Sequence, residues 1–280
     1  MKVTDKQYSM DKNLIRKLDL ICDRCTGEKR FDNLIIGDGN EGYGKTTLML
    51  QCAYYCAWKT GRKFGIENVF FDIDEMIKFA QTTEEQIIDW DEAALAALAN
   101  EWQNKHQKKL IKLMMISRKK RHIWIFNIPK IFKLNEYLTV DRAIALVHVY
   151  AKNENELGMF AYYKKKSKDE LFYDWRKTKK RNYKKYYTFR GRFSKGFHGI
   201  IDDDEYEAKK DFAIMNMDGG EALNKREEKL IKLQYNISQL KGINKEDLAK
   251  QIGVNVKTIF NWQDLPSKYP DFLGKDGNRQ

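Results

Sequence analysis

One run limits what this chain can fold into more than any other: the apolar stretch Asn33-Leu34-Ile35-Ile36, then Gly39-Asn40-Glu41-Gly42-Tyr43-Gly44-Lys45-Thr46-Thr47, then a helical pattern to Trp58. Glycine, four residues, then Gly-Lys-Thr between a strand and a helix is the pattern of a phosphate-binding loop. Its glycines let successive amides point into one cavity, and the helix N-terminus adds partial positive charge. On this pattern residues 39 to 47 cradle the phosphates of ATP, Lys45 bridges the β- and γ-phosphates, and the Thr46 hydroxyl ligates Mg2+. Two acids in or beside the loop, Asp38 and Glu41, would repel phosphate, so they are expected to point outward.

Such a loop needs a sheet behind it. From Asp32 to Lys152 apolar runs alternate with helical stretches, the pattern of a parallel sheet with crossover helices. Strands are expected at 33–37, 68–73, 86–90, 122–128 and 143–150, which together describe a RecA-like α/β core over residues 31–152. Before it, residues 1–30 read as a lead-in with one amphipathic helix on Leu14, Leu18 and Ile21.

Hydrolysis requires acids at the end of a neighbouring strand. The run Gln86 to Ala93 supplies Asp91 to hold the Mg2+ shell and Glu92 to activate the attacking water. Asp89, which interrupts the apolar run, competes with Asp91 for the metal-side place. Asn127 ends the next strand, either as a sensor of the γ-phosphate or as part of an Asn-Ile-Pro turn. Arg118 and Arg142 flank that strand and the following helix, each either an arginine finger reaching a neighbouring subunit or a surface arginine.

The net charge of +12 is concentrated. Between Lys164 and Lys195 there are fourteen Lys or Arg against Asp169, Glu170 and Asp174, interleaved with Phe172, Tyr173, Trp175, Tyr183, Tyr186, Tyr187, Phe189 and Phe193. Basic side chains neutralise phosphates and aromatic rings stack on bases, so the segment suits a nucleic-acid track through Lys179, Lys180, Arg181 and Lys184. The alternative is a solvated sheet or hairpin with its aromatics turned inward. Residues 153–218 are expected to be strands and basic loops.

Four cysteines, Cys22, Cys25, Cys52 and Cys56, have spacings that would suit a zinc site, although Cys52 and Cys56 lie one turn apart in the helix after the loop, where small apolar side chains pack on the sheet. The longest strictly apolar run, Ala93 to Ala99, falls well short of the roughly 20 residues a spanning helix needs. Lys2, Asp5 and Lys6 lack the layout of a secretory signal, so a cytoplasmic protein with no membrane partner is expected, in a host cytoplasm if the gene is viral.

The order GNEGYGKTT, IIDWDEA, a basic helix ending SRKKRH, IWIFNIP and LTVDRAIALVHV resembles the FtsK/HerA group of RecA-like P-loop ATPases, in particular the genome-packaging and Zot-like ATPases of viruses and mobile elements. The likeness runs over residues 33–150. It implies a homo-oligomeric ring, usually a hexamer, that pumps duplex DNA through a central channel. It also carries over Lys45 and Thr46 as nucleotide ligands, Asp91 and Glu92 as the Mg2+ and water residues, and Asn127 as the sensor. Asp89 departs from the apolar strand of that pattern and leaves the register of the acidic pair open.

A second resemblance lies in NKEDLAKQIGVNVKTIFNW, which is similar to the helix-turn-helix DNA readers. Small Ala249 lets two helices approach, Gly253 makes the turn, Val254, Ile259 and Trp262 close the core, and Asn244 with Asp247 forms a capping box. Leu230, Leu233, Ile237 and Leu240 supply the apolar stripe of a supporting helix. Asn255, Lys257, Thr258 and Asn261 on the second helix would face the groove. This module spans 219–265, followed by a polar tail at 266–280.

Three functions fit these features: a ring-forming DNA translocase, a replication-associated ATPase such as a helicase loader or initiator, and an ATP-gated DNA-binding regulator. Glu92 speaks against the last, because a switch needs no efficient water activation.

Overall fold

The computed structural model describes residues 5, 8–27, 31–91, 100–152, 156–196, 199–218, 225–240 and 242–265. The chain forms two units, Met1–Ile214 and Met215–Gln280.

In the first unit, the carboxylate of Asp11 caps helix α1 (Lys12–Thr26) by accepting from the Asn13 and Leu14 amides. The expected stripe is in place, with Leu14, Leu18 and Ile21 buried. Strand β1 (Asn33–Gly39) leads into helix α2 (Lys45–Thr60), and α1 packs on α2. There follow β2 (Val69–Phe70), α3 (Ile73–Thr82), β3 (Ile87–Asp91), α4 (Asn100–Ile116), β4 (Ile123–Ile128) and β5 (Ala143–Tyr150). All five expected strands form, β2 being reduced to two residues because Asp72 caps α3 immediately afterwards.

The sheet continues beyond the expected core. Strand β6 (Met159–Lys164), helix α5 (Lys165–Thr178) and β7 (Phe189–Arg192) lie in the basic segment, and α6 (Asp203–Asp218) follows. The sheet order is β2-β3-β4-β1-β5-β6-β7, parallel from β2 to β5 and antiparallel for β6 and β7. The segment expected to be strands and loops therefore contains two helices, and its most charged stretch begins on one. The reason is local: Lys165 to Thr178 buries Ser167, Lys168, Leu171 and Phe172 on one helical face, with the Lys168 ammonium bonded to the Thr139 carbonyl oxygen, and leaves most of its other charges to water.

Alternation along each strand sorts the residues onto two faces. Ile35, Ile87, Ile123, Ile125, Ala145, Val147 and Val149 share one core with α1 and α2. Positions of the opposite parity, including Ile36, Trp90, Trp124 and Phe126, are also fully buried, as strands covered on both faces require.

The four cysteines belong to the α1–α2 layer and are all buried free thiols. Burial pushes the Cys25 thiol up to about 11 and raises Cys52 as well. All four pack in the apolar core, and among the described residues no group of three or more His, Cys, Asp or Glu is placed to hold a metal ion. No helix among them is long and apolar enough to cross a membrane.

The second unit contains α7 (Lys225–Gln239), α8 (Lys245–Ile252) and α9 (Val256–Asn261). Gly253 ends α8 in the left-handed conformation, φ 73°, which turns the chain into α9. Ala249 and Ile259 are buried, and Ile231 and Leu265 pack with Tyr235 and Trp262. The expected stripe on α7 is not the packed one: Leu230, Leu233 and Leu240 are exposed, and the helix uses the Ile231, Tyr235 and Ser238 face instead. Helical spacing fixes that a face exists, whereas packing within this small unit selects which one.

Candidate nucleotide site

The loop after β1 rests on two glycines. Gly44 takes φ 84° and ψ 25° as the residue before α2, a left-handed conformation that side chains resist. A Cβ on Gly39 would lie 2.3 Å from the Val149 carbonyl oxygen of the neighbouring strand, so only glycine lets β1 leave the sheet there. Asn40, Glu41 and Gly42 are exposed, Tyr43, Gly44, Thr46 and Thr47 are half-buried, and Lys45 is buried. Glu41 is therefore on the solvent side, as expected.

Asp38 is not. It is fully buried, where its Oδ1 meets His148 Nδ1 at 2.8 Å and its Oδ2 accepts from the Tyr183 hydroxyl at 2.5 Å and the Ile131 amide at 3.1 Å. Strand alternation explains the correction. Gly37 faces α2, since a Cβ there would strike Met49, whereas Asp38 has the opposite parity and turns to the other side of the sheet. The carboxylate escapes repelling phosphate by facing away through the sheet rather than into solvent.

Across the strands, the acidic pair resolves by contact. Thr46 Oγ1 donates to Asp91 Oδ2 at 2.8 Å. Asp89 faces Asn127 instead, whose Nδ2 donates to its two oxygens at 2.9 and 3.2 Å. Burial raises the Asp89 carboxyl well above its ordinary range, reinforced by the neighbouring Asp91 charge and opposed by Lys45 and the Asn127 bond. Asp91, and not Asp89, is the acid that sits against the loop threonine. Asn127 is inside β4 and fully buried, which excludes the turn. Glu92 lies outside the described residues.

An ATP-bound Mg2+ fits these groups. Thr46 donates its proton to Asp91, leaving its lone pairs for a cation, and one hydroxyl with one carboxylate is a hard oxygen set of the kind Mg2+ takes beside phosphate. Bound there, the metal would neutralise charge on the phosphates. Lys45, buried in the same loop, would contribute a second positive charge.

One neighbour has no sequence signal. Tyr206, in the first turn of α6 and 115 residues from Asp91, donates its hydroxyl to the same Asp91 Oδ2 at 2.9 Å. Its ring packs edge-on against Phe71, with centroids 5.3 Å apart. Phe193, from the basic segment, also reaches the site, its ring 3.2 Å from where a Cβ on Gly44 would be.

The two arginines differ. Arg142 is buried and ion-paired with Asp32, and it lies at the edge where β5 begins, opposite the loop end of the parallel sheet. Its guanidinium is committed within its own chain, which removes it as a finger toward a neighbour. Arg118 is exposed in the turn Ser117–Lys120 before β4.

In the basic segment the aromatics divide. Phe172 is buried, Trp175 packs on Phe132 at 4.9 Å, Phe189 stacks on Tyr162 at 4.9 Å, and Tyr183 stacks on His148 at 3.6 Å. These hold the extension to the sheet and are not available to bases. Tyr173, Tyr186 and Tyr187 are exposed, as are Lys179, Lys180, Arg181 and Lys184, and Arg190 lies over the Tyr187 ring at 4.1 Å. In the second unit, Lys257 and Asn261 are exposed and Thr258 is half-buried. The Asn255 side-chain oxygen accepts from the Lys257 amide as the N-cap of α9, and that of Asn244 accepts from the Glu246 amide.

No family model and no curated protein matches this chain. Among solved structures it is similar to RuvB of Thermotoga maritima. A point mutant shares 14% identity at a TM-score of 0.37, covering 96% of this chain and 88% of that one. The form described as a Holliday junction branch migration motor shares 14% at 0.34 over the same shares. At TM-scores this low the likeness carries no inference about this chain. Strand order, loop and acidic strand define instead a RecA-like α/β fold with a phosphate-binding loop, in which β4 separates the loop strand from the strand that carries Asp91.

Proposed function

We propose that the protein is an ATP-hydrolysing DNA translocase, working as a homo-oligomeric ring, in hexameric form, that moves duplex DNA in the packaging or transfer of a viral or mobile-element genome. It acts in the cytoplasm, or in the host cytoplasm for a virus. The observation that carries this reading is that one sheet supports both the Thr46–Asp91 contact beside the phosphate loop and the exposed cations at 179–184. Asp91 and Thr46 hold Mg2+, Glu92 takes the proton of the attacking water, and Asn127 orients the γ-phosphate side of the site. Arg118 remains the candidate finger toward a neighbouring subunit.

Lys179, Lys180, Arg181 and Lys184 grip the DNA backbone, and the exposed tyrosines supply stacking surface. The C-terminal unit acts as a helix-turn-helix, with Lys257, Thr258 and Asn261 toward the groove and Asn255 capping the helix that carries them. The deciding experiment measures ATP turnover with and without duplex DNA, together with displacement of a triplex-forming strand ahead of the protein. Turnover unchanged by duplex DNA, with no displaced strand, sinks the translocase.

A further inference from the structure

Asp91 Oδ2 accepts two hydrogen bonds, from Thr46 at 2.8 Å and from Tyr206 at 2.9 Å. A carboxylate oxygen has two lone-pair sites, so this oxygen is fully engaged by the two hydroxyls. The two donors are not equivalent. Thr46 belongs to the phosphate loop, and its bond to Asp91 would leave its lone pairs for a cation. Tyr206 belongs to α6, which follows the basic segment, and has no place in the phosphate loop.

We propose that Tyr206 is a latch on the metal position: its hydroxyl holds Asp91 Oδ2 and gives way when that oxygen engages a nucleotide-bound Mg2+. The proposal rests on the nucleotide site described above. Tyr206 can move without dismantling the fold, because α6 has a second anchor one turn on, where the Lys209 ammonium donates to the Ile66 and Val69 carbonyl oxygens at 3.0 and 2.6 Å. Lys45 and the loop amides would take phosphate without disturbing the Tyr206 bond, which lies on the metal side of the site.

The test uses the full chain with 3-fluorotyrosine placed at position 206 alone, and reads its fluorine resonance. A non-hydrolysable ATP analogue in EDTA should leave the resonance in place, and adding Mg2+ should shift it. In parallel, Tyr206→Phe, which keeps the ring packed on Phe71, should bind Mg2+ to the analogue-loaded protein about tenfold more tightly, since a hydrogen bond to a charged acceptor no longer has to be broken. A resonance that ignores Mg2+, or a Phe variant that binds Mg2+ more weakly, overturns the latch and makes Tyr206 a support for Asp91. Binding of the analogue itself is followed separately by displacement of a fluorescent nucleotide. Failure there removes the nucleotide site, and the latch with it.

Discussion

The Thr46 hydroxyl and Asp91 Oδ2 meet at 2.8 Å, a bond that ties the start of α2 to the end of β3 across 45 residues of chain. Two residues earlier on the same strand, Asp89 is held by Asn127, and burial raises its carboxyl above the ordinary range. Asp91→Asn should therefore raise the Mg2+ concentration for half-maximal ATP turnover by about 10- to 100-fold, while Asp89→Asn should change it by less than about threefold. A Mg2+ titration of turnover in both variants measures this, and the reverse ranking would return the metal to Asp89.

Lys45→Ala should abolish nucleotide binding, because the loop then faces the phosphates without its point charge. Glu92→Gln should leave binding intact and slow hydrolysis by on the order of 10²-fold or more. Equilibrium binding and single-turnover hydrolysis separate the two effects. A Gln variant that turns over like the wild type takes the base assignment away from Glu92.

Arg142 tests whether a buried ion pair is structural. Arg142→Ala leaves the Asp32 carboxylate buried without its partner, which should cost about 3–5 kcal/mol of stability by urea unfolding. Mixing this variant with wild-type protein should leave turnover per wild-type subunit unchanged. Poisoning of wild-type subunits by the variant would restore the finger.

His122 is buried between α3 and the start of β3, its Nδ1 accepting from the Gln86 amide at 3.1 Å and its Nε2 facing the Ala80 carbonyl at 3.1 Å. Burial pushes its pKa down to about 4, below the ordinary 6.5 of the unfolded chain. The unfolded state then binds more protons between these values, so stability should fall as pH drops from 6.5 toward 4, by on the order of 3 kcal/mol across the window. Urea midpoints against pH for the wild type and His122→Gln give the comparison. Parallel curves would show that another group carries the acid sensitivity.

The basic segment and the C-terminal unit should separate, because phosphate binding carries affinity and base-edge recognition carries sequence. Neutralising Lys179, Lys180 and Arg181 should weaken binding to every duplex and lower the salt slope by about 0.9 for each phosphate that is no longer neutralised. Ending the chain at Met217 should leave basal ATPase and general DNA binding largely intact while erasing any site preference. An unchanged salt slope, or a truncated chain with its preference kept, refutes the division.

Much of the nucleotide site was legible along the chain because its parts are neighbours in sequence. The strand, the glycine turn and the helix from Lys45 are contiguous, and the period-two and helical patterns around them set the order of elements that makes a parallel sheet. The residues at Lys45, Thr46 and Asp91 follow from that order. The choice between Asp89 and Asp91 does not, because both face the same side of β3 and only the positions of Thr46 and Asn127 distinguish them.

What the sequence determined by itself is the local part: the loop, the strands, the charged stretch and the turn at Gly253. What only the tertiary structure decided are the partners. Asp38 finds Tyr183 from 145 residues away, Arg142 finds Asp32 from 110, and Tyr206 finds Asp91 from 115. Patterning tells a side chain to be buried or exposed, but a buried polar group must also be matched by a donor or acceptor, and that match exists only once distant segments share one face of the sheet.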